Sequence, residues 1–172
     1  MAVTALLLAL AVALHQLERL LPLPILPYPG VKLGLGNLVT LASLFLLTYR
    51  QALLFVLLRV LLTSALGSFS GFLFSLSGAL SSFILMSSLA YTWPRHFSLP
   101  GLSVAGAVTH NFGQLLVAAG LSGSFAFVLY LPVLLFSGII SGLAIGLTAH
   151  LLLKALAAQG RWQLNPRLTP LL

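Results

Sequence analysis

Apolar runs separated by short clusters of Pro, Gly, Ser and basic residues recur along all 172 residues of the chain. The hydrocarbon core of a bilayer, about 30 Å thick, takes roughly 20 apolar residues per helix, and six segments approach that length. They cover residues 2–21, 33–49, 51–66, 71–93, 102–121 and 125–156. The first stops at Pro22, Pro24, Pro27 and Pro29-Gly30, because proline removes a backbone donor and clashes with the preceding turn. The fourth ends at Pro94-Arg95-His96, and the sixth is long enough to tilt or to break, near Pro132 or at the series Gly138, Gly142, Gly146. The pattern predicts an all-α, polytopic membrane protein. Its six-helix transmembrane domain spans residues 1–158, and a short polar tail covers 159–172.

Composition removes the soluble alternative. Glu18 is the single acidic residue, 5% of residues are charged and 60% are hydrophobic, and mean hydropathy is +1.14. A soluble domain carries roughly a quarter of its residues as charges. The formal charge of +7 comes from eight Lys and Arg spread thinly along apolar segments. Contact with anionic lipid and orientation in the bilayer account for that spread better than nucleic acid does. With no Cys there is no disulfide and no thiolate chemistry. The first apolar stretch lacks a basic leader and reads as a retained helix. Arg50, Arg95, Lys154, Arg161 and Arg167 fall on the side of the termini, against Arg19 and Lys32 on the other. That asymmetry places both termini in the cytoplasm.

The residues that carry chemistry are few. Thr109-His110-Asn111-Phe112-Gly113-Gln114 is the densest polar cluster inside any span. His110 and Gln114 are four apart and share a helix face beside Asn111. Either they satisfy one another between helices or they face a ligand, and three adjacent polar groups exceed what packing requires. Arg59 lies inside the third span, where a charge needs a partner, water or an anionic ligand. A Glu18–Arg59 or Glu18–Arg19 ion pair is the structural alternative. Lys32 sits in the glycine-rich stretch Pro29-Gly30-Val31-Lys32-Leu33-Gly34-Leu35-Gly36-Asn37, where backbone amides at a helix start favour an anion; a plain turn at the headgroups is the other reading. The phosphate-binding pattern of ATPases is absent from the sequence.

Ala5, Ala9 and Ala13 place small side chains on one face of the first helix, suited equally to internal packing and to docking another membrane subunit. For Gly138, Gly142 and Gly146 internal packing is the expected role. The serines of the fourth span (Ser75, Ser77, Ser81, Ser82, Ser87, Ser88) read as packing groups, and none has an acidic partner for nucleophilic hydrolysis. No second His, Asp or Glu stands at metal-ligand spacing from His110, so no metal site, catalytic residue or cofactor is expected.

Four strings in order carry a resemblance: residues 29–37, Ser75-Leu76-Ser77-Gly78-Ala79-Leu80-Ser81-Ser82, Gly106-Ala107-Val108-Thr109-His110-Asn111-Phe112-Gly113-Gln114, and Tyr130-Leu131-Pro132-Val133-Leu134. Together they resemble the Gx transporter family, whose members are often labelled component I of heptaprenyl diphosphate synthase. The resemblance covers about residues 7–153, with Gly36 where the family usually has Ala. The family is similar to the S components of energy-coupling factor transporters, six-helix proteins that capture a vitamin-like solute from outside. The resemblance implies a transmembrane coupling subunit, docked through small residues such as Ala5, Ala9 and Ala13, and cytoplasmic ATPases that drive the cycle. Prenyl diphosphate synthases resemble one another in Asp-rich motifs that hold Mg²⁺, a hard ion that needs oxygen ligands. A chain without Asp does not supply them.

The leading expectation is therefore a non-enzymatic substrate-binding subunit of an importer in a bacterial cytoplasmic membrane. Lys32, Asn37, Arg59, His110, Asn111 and Gln114 form its ligand-facing set, for a small anionic vitamin- or precursor-like solute. The alternative is a non-catalytic membrane anchor for a polyprenyl diphosphate or quinone pathway enzyme. A proton-coupled secondary transporter using Glu18 and His110 ranks last, since no inverted repeat is evident.

Overall fold

A computed structural model describes residues 2–20, 34–65, 68–92 and 96–160. Six α-helices follow one another: α1 Ala2–Leu20, α2 Leu35–Leu46, α3 Tyr49–Ser64, α4 Phe69–Ala90, α5 Leu99–Ser122 and α6 Leu131–Ala158. A short 3-10 helix, Phe125–Tyr130, precedes α6. No strand occurs among the described residues.

Among the described residues, four segments have the length and apolarity to cross a membrane: Ala2–Leu20, Phe69–Ala90, Leu99–Ser122 and Ala126–Ala158. The other two expected spans are helical but shorter. The 12 residues of α2 reach about 18 Å and the 16 of α3 about 24 Å at 1.5 Å per residue, both less than the hydrocarbon core. The sixth expected span changes geometry near Pro132: 3-10 turns run to Tyr130, and Pro132 occupies the first turn of α6, where its missing N–H costs no intrahelical bond.

Local signals set the ends. Ser68 accepts from Gly71 N at 3.1 Å at the start of α4, and Ser98 accepts from Gly101 N at 3.2 Å at the start of α5. Each satisfies one of the free amides of a helix start. Gln51 Oε1 reaches back to Thr48 N at 3.1 Å at the start of α3. Gly123, with φ 63°, closes α5 in the left-handed region, which only glycine enters cheaply.

Helix α2 is the central element, buried at every position from Gly36 to Phe45 except Leu38. It touches α1, α3, α4, α5 and α6, and Leu41 and Phe45 are wholly enclosed. Its hydroxyls turn inward on their own backbone: Thr40 Oγ1 donates to Gly36 O at 3.1 Å and Ser43 Oγ to Thr40 O at 2.7 Å. A polar side chain thereby survives in an apolar core.

Helix α5 is clamped on both sides by glycines. A Cβ at Gly113 would fall 2.6 Å from Ser81 Oγ and 2.9 Å from Ser77 O of α4. On α6, a Cβ at Gly142 would fall 2.7 Å from Val104 Cα, and one at Gly146 would press on Pro100. Lipid tails are as apolar as leucine, so close approach of backbones and interhelical hydrogen bonds hold such a bundle together. The glycine series of the last helix packs internally, and Ser77 Oγ ties α4 to α5 by donating to Gly113 O at 2.7 Å. On α1 the inward face is Leu7 and Ala11, whereas Ala5, Ala9 and Ala13 are exposed.

Candidate functional site

At the end of the bundle where α1 stops and α2 begins, the helices leave a polar cavity of about 60 Å³. Asn37, Arg59, His110, Asn111 and Gln114 all line it, drawn from α2, α3 and α5. Five of the six residues expected to face a ligand thus line one cavity. The sixth, Lys32, lies outside the described residues, as do the proline-rich segment around it, Arg95 and the tail from residue 161.

Small residues make the meeting possible. Gly36 leaves the space that the Arg59 guanidinium fills: a Cβ there would collide with the terminal nitrogen of Arg59. Gly78 of α4 does the same for the cluster on α5, because its Cβ would lie 2.8 Å from His110 Nε2 and 3.0 Å from Gln114 Cγ. A Cβ at Gly138 of α6 would come within 3.0 Å of Asn111 Nδ2. Asn111 Nδ2 donates to Leu134 O at 2.7 Å. This bond fastens the polar cluster to the first turns of α6. One amide of the cluster is therefore structural as well as cavity-lining.

Arg59 is 8% exposed, its Nε is buried without a hydrogen-bond partner, and the residue lines the cavity. Glu18 lines the same cavity and acts on Arg59 electrostatically. Its carboxylate is engaged elsewhere: Oε1 accepts from Gly34 N at 2.6 Å. Gly34 sits at φ 77° just ahead of α2, so Glu18 caps the entry to that helix. Among the described residues, no direct ion pair joins Glu18 to Arg59.

Three further lining residues carry no signal of their own in the sequence. His15 stands one turn before Glu18 on α1, Ser75 comes from α4 and Ser141 from α6. The three-residue spacing of His15 and Glu18 places them on one face, which is the one hint the sequence holds. Ser75 borders the cavity, unlike Ser77 and Ser81, which bond to backbone carbonyls.

The donor set favours anions and polar groups over cations. Mg²⁺ takes oxygen ligands, above all carboxylates, and Glu18 is the one carboxylate side chain in the chain. No group of three or more His, Cys, Asp or Glu able to hold a metal occurs among the described residues. The cavity residues do not fit a Mg²⁺–diphosphate site.

Residues 7–152 match the model of a single protein family, described as heptaprenyl diphosphate synthase component I. The chain belongs to that family. Every cavity residue of this component I protein falls inside the match. The family description implies a second component in a synthase complex. No curated protein and no solved structure matches the chain.

Proposed function

We propose that this protein is the substrate-capture subunit, or S component, of an energy-coupling factor type importer. It lies multi-pass in a bacterial cytoplasmic membrane as a six-helix bundle with both termini in the cytoplasm, and it takes up a small anionic solute from outside. The observation that carries the reading is the buried Arg59, its Nε without a hydrogen-bond partner, at a cavity also lined by Asn37, His110, Asn111 and Gln114. A charge held at that depth costs several kcal/mol, about 3 at the centre of a helix, unless something answers it. Glu18 is partly committed to Gly34, which leaves an anionic ligand as the complement.

A membrane anchor has no use for such a site. Lys32, outside the described residues, would add a second positive charge, and the exposed Ala5, Ala9 and Ala13 face would receive the transmembrane coupling subunit that the cytoplasmic ATPases drive. The second reading is a non-catalytic partner of a prenyl diphosphate synthase, which the family description favours. Native mass spectrometry of the protein gently extracted from its own membrane separates the two. Co-purification of a membrane subunit and ATPases with a bound small anion supports the importer. A complex with a soluble synthase and no ATPase overturns it.

A further inference from the structure

Beside the polar cavity runs a larger and mostly apolar groove of about 570 Å³, bounded by the first turns of α4, the last turns of α5, the 3-10 helix and the start of α6. The two spaces share walls, since Ser75 and Gln114 line both. Along α5, His110 and Gln114 face the polar cavity, while Leu115 and Ala118 continue into the groove. Phe127, Leu129 and Tyr130 of the 3-10 helix line its far side. Leu134, whose carbonyl Asn111 holds, also borders the groove.

Volume decides what such a pair of spaces can take. Sites for small organic ligands run to roughly 300–1,000 Å³, so the polar cavity of about 60 Å³ has room for one charged headgroup and little more. The groove supplies the missing space but offers no charged side chain among its lining residues. Resting on the capture reading above, we propose that the ligand is an amphiphile. Its small anionic head sits at Arg59, Asn37 and His110, and its hydrocarbon body passes between Ser75 and Gln114 to lie in the groove against Phe74, Leu115 and Phe127. The chain enters from the lipid side, where Leu129 is 84% and Phe127 43% exposed.

The test is isothermal titration of the full-length protein in nanodiscs with methyl, butyl and octyl phosphate, with protein-free nanodiscs and octanol as controls. Affinity is expected to rise about fourfold per methylene that enters the groove. Ala118→Phe and, independently, Ala126→Phe fill the groove and are expected to flatten that rise while methyl phosphate still binds. Arg59→Met is expected to lower affinity at least about 30-fold at every chain length. A flat chain-length series with methyl phosphate bound overturns the amphiphile and leaves the small-anion reading standing. Binding of no phosphate at any length overturns both. If octanol binds as well as octyl phosphate and ignores Arg59→Met, the groove belongs to bilayer acyl chains and the proposal fails.

Discussion

Replacing Arg59 by Met sets binding against stability, and the two move in opposite directions if the cavity is a ligand site. Arg59 is 8% exposed, its Nε has no partner, and its guanidinium occupies the space left by Gly36. Exchanging a buried ion pair for well-packed apolar groups of similar volume is often stabilising, by about 1–4 kcal/mol, and a buried charge with no direct ion-pair partner carries a desolvation cost of the same order. The lower half of that range applies here, because the cavity borders part of the guanidinium and Glu18 offsets some of its charge. Empty Arg59→Met protein is therefore expected to gain about 1–2 kcal/mol, a few degrees in melting temperature for a chain of this size. Removing one partner of a buried charge pair costs about 2–5 kcal/mol in binding, so affinity for a phosphate monoester should fall at least about 30-fold. Thermal unfolding in detergent, followed with and without methyl phosphate, reads both quantities on one sample. A variant that melts well below the parent and keeps its phosphate-induced shift would show that Arg59 is structural glue, and would refute the reasoning.

Other substitutions probe the walls. Glu18→Gln keeps an acceptor for Gly34 N–H, at 2.6 Å in the parent, but removes a negative charge from the cavity; anion affinity in nanodisc titration should rise about fivefold, equivalent to about 1 kcal/mol, with melting little changed. Gly78→Val is expected to displace His110 and Gln114, which a Cβ would meet at 2.8 and 3.0 Å, cutting affinity about tenfold or more through misplacement of the cluster. Gly142→Leu drives a side chain into the backbone at Val104, where a Cβ would already lie at 2.7 Å. Overpacking of this kind costs about 1–3 kcal/mol and should lower the melting temperature without touching the cavity lining. Ser77→Ala removes the interhelical bond to Gly113 O and should cost about 0.6 kcal/mol, the average for such bonds in a membrane bundle, and at most about 1.7 kcal/mol.

Much of the site was legible in the sequence because polar residues are so rare in this chain. His110, Asn111 and Gln114 stand out in an apolar helix by spacing alone, and Arg59 by its depth in a span. The way their surroundings are shared was not legible. His15, Ser75 and Ser141 are single polar residues on three different helices, and which of them faces the cavity depends on how each helix is rotated. Glu18 illustrates the limit from the other side: the sequence offers it as a counter-ion to Arg59, yet its carboxylate also caps the backbone ahead of α2, a contact set by a turn and not by residue type. The glycines read alike as small residues, but Gly36 and Gly78 make room for the side chains of Arg59, His110 and Gln114 while Gly142 and Gly146 admit a neighbouring backbone.

The sequence by itself determined the solvent, the helical class and the shortage of carboxylates, because these follow from composition and from the length of apolar runs, which no packing arrangement can alter. It also marked Pro132 as a point where a helix has to start or break. Only the tertiary structure decided that α2 is short and central, that Ala5, Ala9 and Ala13 face outward, and that a polar cavity and an apolar groove adjoin at Ser75 and Gln114. Those outcomes depend on helix rotation and close backbone approach. In a bilayer the apolar surface of one helix is as welcome against lipid as against another helix, so hydrophobicity alone cannot choose the face that turns inward.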